Sequence, residues 1–158
     1  MVVFRLGGQL FGIPVAEVRE VVPYAWLELP PRMPTFVQGV LNLGGEAVAV
    51  LRLDMLLGMP PATIGLDASI LVMKNAATSL GLLVEHVEGV RASADFQYTA
   101  IEDRQSFQGC LAGQLQGPDV TVHVLSWRKV LLEEETRRLE QFQQGAQQRL
   151  AQLSDAEA

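Results

Sequence analysis

Up to residue 125 the sequence consists of short alternating apolar runs separated by turn residues, a pattern that favours an all-β barrel or sandwich. "VVFRLGG" places Val3 and Arg5 on one strand face and Val2, Phe4 and Leu6 on the other; Gly7-Gly8 turns the chain and "QLFGIP" returns it. The clearest unit is "GVLNLGGEAVAVLRLDMLLG", residues 39 to 58, which pivots on Gly44-Gly45. Adjacent glycines can cradle a phosphate, but a helix must follow so that its N–H groups face the anion. Here an alternating strand follows, so the glycines are read as a tight hairpin turn with positive φ. Further runs, "SILVMKN" and "SLGLLVEHV", flank an Asn-Ala-Ala-Thr turn. "GCLAGQLQ" and "VTVHVLS" flank Gly117-Pro118-Asp119. Pro30, Pro31 and Pro34 mark a loop that cannot be central strand. In "VAEVREVV" the spacing of Val15, Val18, Val21 and Val22 predicts a short helical turn.

A weak repeat runs through these elements. "VAVLRLDMLL" (48 to 57) matches "VHVLSWRKVL" (122 to 131) as a strand entering a helical turn, and "VAEV" (15 to 18) matches "VEHV" (84 to 87). Each half thus runs hairpin, Val-x-x-Val segment, second hairpin, then strand into helix, which predicts two similar small barrels. No single match is specific, and chance similarity between β-rich segments is the competing explanation. From Ser126, a predicted N-cap, the periodicity becomes helical. Leu132, Leu139, Ala146 and Leu153 recur every seven residues, with Phe142 and Leu150 nearby. Glu133–Arg137 and Glu134–Arg138 are i,i+4 pairs on a face expected to be exposed. The apolar stripe is expected to pack on the barrel first and protrude later; a coiled-coil contact ranks second because Glu135 and Arg149 interrupt its d positions. The final "LSDAEA" is expected to fray.

Composition narrows the functional classes. The chain has 158 residues, 49% apolar and 19% charged, enough for one compact domain or two small subdomains sharing a core. Its net charge of −6 and scattered Lys and Arg exclude a nucleic-acid grip. The lone Cys110 suits a reducing cytosol. "MVVFRLGGQLF" lacks the form of a signal peptide, and no apolar run reaches the roughly 18 residues of a membrane span. A cytoplasmic location without membrane insertion is expected.

Catalytic candidates are few. His86 and His123 show no metal-ligand spacing and are read as surface or partly packed side chains; His123 is placed on the solvent face of its strand. Cys110 is read as a small buried residue rather than a nucleophile. There is no G-x-S-x-G elbow and no P-loop. Glu17, Glu20, Glu85 and Glu88 occupy comparable positions in the two halves. A solvated rim is favoured over an acid/base pair. No active site, cofactor or metal is expected.

In order, over roughly the first 130 residues, the chain resembles the CheW-like coupling modules of bacterial chemosensory arrays. "FRLGGQLFGIPVAEVREVV" is similar to the family's opening. "LPPRMPTFVQGVLNLGGEAVAVLRL" resembles its Pro-rich loop and G-V-x-N-L-R-G-x-x-x-P-V signature. "GLLVEHVEGV" and "VHVLSWRKVLL" are similar to its later segments. The resemblance implies a mainly β fold of two SH3-like five-stranded β-barrel subdomains with a C-terminal helix. Residues 1–132 form the intertwined barrels, and 133–158 an amphipathic helix and tail. It implies a non-catalytic adaptor joining chemoreceptor tips to the regulatory domain of a CheA-like histidine kinase, through barrel ends and an apolar groove between barrels. Val18 and Glu20 match the family's Val-x-Glu segment near its partner surface, and Val37, Gly39, Val40 and Leu43 occupy the signature strand. Core packing is the better assignment for Val40 and a partner surface for Glu20, while Val18 fits either. Three positions depart from the family pattern: Gly44 replaces the signature arginine, Ala49 a proline, and Arg52 an aspartate. The alternative implied is a divergent module in a specialised pathway, such as twitching motility or biofilm signalling, without ordinary receptor coupling. Self-association through the C-terminal helix is a further possibility.

Overall fold

A computed structural model of the chain describes residues 1–74, 78–101 and 106–157. The first hairpin is β1 (Val2–Leu6) and β2 (Gln9–Ile13), turned by Gly7 and Gly8 at φ 58° and 76°. After β3 (Val18–Pro23) comes the hairpin of β4 (Val37–Leu43) and β5 (Glu46–Arg52), which enters the short helix α1 (Leu53–Leu56). Next come β6 (Ser69–Met73), β7 (Leu80–Val84), β8 (His86–Val90) and β9 (Gln97–Ala100). The hairpin of β10 (Leu111–Gly117) and β11 (Val120–Leu125) feeds the long helix α2 (Trp127–Glu157). Residues 75–77, most of the expected Asn-Ala-Ala-Thr turn, lie outside the described residues.

The strands form two sheets, β3-β6-β7-β5-β4 and β8-β1-β2-β11-β10-β9, the second carrying β9 as a sixth, edge strand. Each contains one parallel pair: β5 beside β7, in register Ala49↔Leu80, and β2 beside β11, in register Leu10↔Val122. The matched segments of the repeat occupy equivalent places, β3 with β8 and β5 with β11. However, the halves of the chain are not the barrels. The β6–β7 hairpin of the second half completes the barrel of β3, β4 and β5, while β1–β2 of the first half completes the other. The cause is geometric, since a parallel pair needs a long connection and each half supplies only hairpins between neighbours.

Both faces of the central strands are buried. Leu71, Leu82 and Leu51 join Phe4, Phe11 and Ile13 in a core shared by the sheets, while Ile70, Val72, Val48 and Val50 fill the other face of their own sheet. Val3, Leu115, Val122 and Val124 do the same opposite. The continuous apolar runs in β6 and β7 follow from this double burial.

Two expectations need correction. In "VAEVREVV" only Val15–Glu17 makes a single 3-10 turn, and Val18–Pro23 is strand. Stiff valines fit a pleated edge better than a helix. In α2 the heptad stripe does not pack on the barrel: Leu132 is 54% exposed, whereas Trp127, Val130 and Glu134 are buried. The Trp127 indole N–H donates to the Lys74 carbonyl at 3.1 Å, and Lys129 Nζ to the Leu111 carbonyl at 2.9 Å. These bonds turn the 127/130/134 face inward. Glu134, expected on an exposed face, is inside and pairs with Arg138; Glu133 and Arg137 pair at 2.8 Å. The Ser126 cap forms as expected, its Oγ accepting from Lys129 N at 3.4 Å.

Buried Asp54 ties α1 to its surroundings. Its carboxylate accepts from Met55 N and Ala62 N, each at 2.8 Å, and pairs with Arg52 Nη2 at 2.9 Å. Replacing it with Asn removes the charge that these donors share. Asp54→Asn is expected to cost about 1–3 kcal/mol, read as a lower urea midpoint. An unchanged midpoint would deny Asp54 this role.

Candidate functional site

The β4–β5 register closes at Leu43↔Glu46, leaving Gly44 and Gly45 as a two-residue turn at φ 60° and 91°. Positive φ at both positions is the geometry that matches the twist of the flanking strands. Asn42 Oδ1 accepts from Gly45 N at 2.8 Å and fixes the turn. A Cβ built at either glycine meets nothing within 4 Å, so the turn demands glycine for backbone reasons while its tip stands in open space.

Strand directions gather other groups at this end. β5 runs parallel to β7, β7 antiparallel to β6, and β6 antiparallel to β3, so the starts of β3, β5 and β7 lie together. Arg19 Nη1 pairs with Glu46 Oε2 at 2.8 Å, and Arg19 Nε with Glu20 Oε1 at 3.6 Å. The Ser79 hydroxyl donates to the other Glu46 oxygen. Ser79, and then Arg19, hold the Glu46 carboxyl below the ordinary carboxylate range; Glu46 raises the Arg19 guanidinium in turn. The Arg19 and Glu46 side chains are 43% and 39% exposed, so their pairing fixes a charge pattern more than it stabilises the fold.

On the other side of the turn is a groove of about 590 Å³, lined by Ala25, Trp26, Glu28, Val40, Asn42 and Gly45 among others. Trp26 is 80% exposed at its rim. β4 is the last strand of its sheet, and Glu28 bridges it at Val40, with N–H to carbonyl bonds of 3.0 and 2.6 Å. An apolar ring beside a partly covered strand edge is suited to binding a protein surface.

The sequence-derived positions divide between two ends of this hairpin. Val18, Glu20, Leu43 and Gly44 lie at the turn end: Val18 is 8% exposed and faces the shared core, Leu43 is half-buried, and Glu20 and Gly44 are exposed. Val37, Gly39 and Arg52 lie toward the opposite end, with Val37 about 20 Å from Leu43 at roughly 3.3 Å per residue. Val37 packs against the core. A Cβ on Gly39 would lie 2.7 Å from Leu27 Cβ and 2.8 Å from the Glu28 carbonyl oxygen, so Gly39 admits the covering segment. Arg52 is held by Asp54, and Val40 is half-buried at the Glu28 bridge. Sequence reasoning did not single out Arg19, Glu46, Ser79 or Trp26. An exposed tryptophan within "PYAWLELPP" was the available signal; the Arg19–Glu46 pair, 27 residues apart, left none.

The reactive residue types are elsewhere. His123 is half-buried against Phe11 and Phe107, with ring centroids 5.5 and 5.3 Å away, and burial lowers its pKa. His86 is exposed on β8. Burial pushes the Cys110 thiol up to about 11, which keeps it protonated at neutral pH. Glu85 accepts from Gly7 N at 2.7 Å, and Glu88 pairs with Arg5 at 3.2 Å. Among the described residues, no three His, Cys, Asp or Glu are placed to hold a metal, and no helix is long and apolar enough to cross a membrane.

Gly44→Arg places a branched Cα at φ 60° with no compensating contact, so it should cost about 1–2 kcal/mol in chemical denaturation, and Gly44→Asn less. Equal stability of all three proteins would mean that the turn relaxes. Cys110 should resist iodoacetamide in the native protein and react once unfolded; rapid native alkylation would contradict its burial.

The family described as CheW-like domain matches residues 1–135. The chain is 30% identical over 95 residues to a probable chemotaxis protein CheW of Rhizobium etli, covering 60% of this chain and 61% of that protein. It is 31% identical over 88 residues to protein PilI of Pseudomonas aeruginosa, covering 56% and 49%. It is 33% identical over 88 residues to protein FrzA of Myxococcus xanthus, covering 56% and 55%. The chain thus spans about three fifths or less of the length of these curated relatives. In fold it is similar to the crystal structure of the scaffolding protein TtCheW from Thermoanaerobacter tengcongensis. The TM-score is 0.68 at 23% identity, over 79% of this chain and 86% of that one.

Proposed function

Because the chain belongs to the CheW-like domain family, we propose that it is a non-catalytic adaptor coupling receptors to a CheA-like histidine kinase in a cytoplasmic chemosensory array. Residues 1–132 are the docking module, and 133–158 the extension of α2 beyond it. The observation that carries the proposal is the turn end of the β3-β6-β7-β5-β4 barrel. There the ordered charges of Arg19, Glu20 and Glu46 border a projecting hairpin, with exposed Trp26 on its other side. Such a surface offers directional polar contacts around an apolar anchor, as protein interfaces require. Glu20 is the direct contact to the kinase regulatory domain, and Val18 supports it from the core. Val37, Gly39 and Arg52 act indirectly, by holding the strand and the covering segment in place.

A second version keeps the fold and changes the receptor. At Gly44 the chain lacks the long cation that the resembling modules present there, and its relatives include PilI and FrzA as well as CheW. A specialised pathway without ordinary receptor coupling fits that substitution. Calorimetry with the cognate kinase regulatory domain tests the common part. Wild type should bind, and Glu20→Arg should weaken binding about tenfold, or about 1.4 kcal/mol, at unchanged melting temperature. No binding on the order of tens of micromolar would contradict it. Gly44→Arg should strengthen binding to a conventional receptor tip if the missing cation is the determinant. Flat affinity in a folded variant would remove Gly44 from the site.

A further inference from the structure

Helix α2 has two faces. One is attached to the barrels through buried Trp127, Val130 and Glu134, and through Gln141, whose Oε1 accepts from Thr35 N at 3.1 Å and whose Nε2 donates to Thr35 Oγ1 at 2.6 Å. The other carries Leu132, Leu139, Phe142, Ala146, Leu150 and Leu153, spaced by three, four or seven residues. At about 100° per residue they fall within an arc of about 80°, roughly opposite the attached face. The five large side chains are all more than half exposed, Phe142 at 68%.

We infer that this stripe docks antiparallel on the same stripe of a second copy of the chain. Two charges that interrupt the stripe, Glu135 within its arc and Arg149 just beside it, select that partner and direction. Glu133 and Glu134 pair with Arg137 and Arg138 within the helix, but Glu135 and Arg149 make no ion pair among the described residues. Both lie seven residues from Phe142, one before it and one after. Parallel pairing in register brings Glu135 against Glu135 and Arg149 against Arg149, which is repulsive at both places. Antiparallel pairing centred on Phe142 sets each Glu135 beside Arg149 of the other copy. The Phe142 rings meet on the two-fold axis with Leu139 beside them. The residues that break the heptad are therefore complementary across the pair, as a self-complementary two-fold contact requires. A single narrow seam is a small interface, and the dimer is correspondingly weak and reversible.

Sedimentation equilibrium of the full chain tests this, with circular dichroism to confirm that each variant folds. Wild type should show a reversible monomer–dimer equilibrium. Phe142→Glu, at an exposed position, should weaken it about tenfold or more. Glu135→Arg and Arg149→Glu should each weaken it, and the double variant should return close to wild type. Wild type monomeric up to about 1 mM would overturn the inference. So would a dimer indifferent to Phe142→Glu, or a double variant no better than the singles.

Discussion

In each barrel one pair of strands runs parallel, β5 with β7 and β2 with β11, and the remaining organisation depends on those two pairings. Parallel neighbours cannot be joined by a tight turn, so the partner strand must come from a distant part of the chain. Here the two halves meet the requirement reciprocally, each inserting a hairpin between strands of the other. Neither half can close its own barrel, and the shared core of Phe4, Phe11, Leu51, Leu71 and Leu82 buries what remains. Each barrel is therefore complete only when strands from both halves are in place.

The same arrangement leaves the β4–β5 hairpin at the sheet edge, with its turn projecting among the starts of three strands. The shared core and Asp54 fix the base of the hairpin, so a rigid scaffold presents the glycine turn at its tip. Local stability and exposed chemistry are largely separated along one hairpin: Gly39 and Arg52 serve the first and Glu46 the second, while Gly44 serves the turn itself. Side chains at such a tip can vary while the barrels beneath keep their packing.

What the sequence made legible was local. Gly44-Gly45, Gly117-Pro118-Asp119 and the Ser126 cap announce themselves within a few residues because turn and cap geometry is decided there. The repeat identified the matching strands but not the exchange of hairpins, since alternation is identical whichever sheet a hairpin joins. Periodicity also located the apolar stripe of α2 without revealing which face meets the barrel. Trp127 and Lys129 decide that through hydrogen bonds to Lys74 and Leu111, distant in sequence. The Arg19–Glu46–Ser79 network was hidden for the same reason, while Val18 and Arg52, two candidate contacts, turned out to be engaged within the fold.

The proposed docking site for a kinase regulatory domain is the turn end of the β3-β6-β7-β5-β4 barrel. Hydrogen exchange of the chain with and without that domain measures it most directly, because backbone protection reports position as well as binding. Exchange should slow at residues 18–20 and 42–46, with little change at 37–39. Protection confined to β8, β9 or α2, with the Gly44-Gly45 turn exchanging as fast as in the free protein, would contradict it.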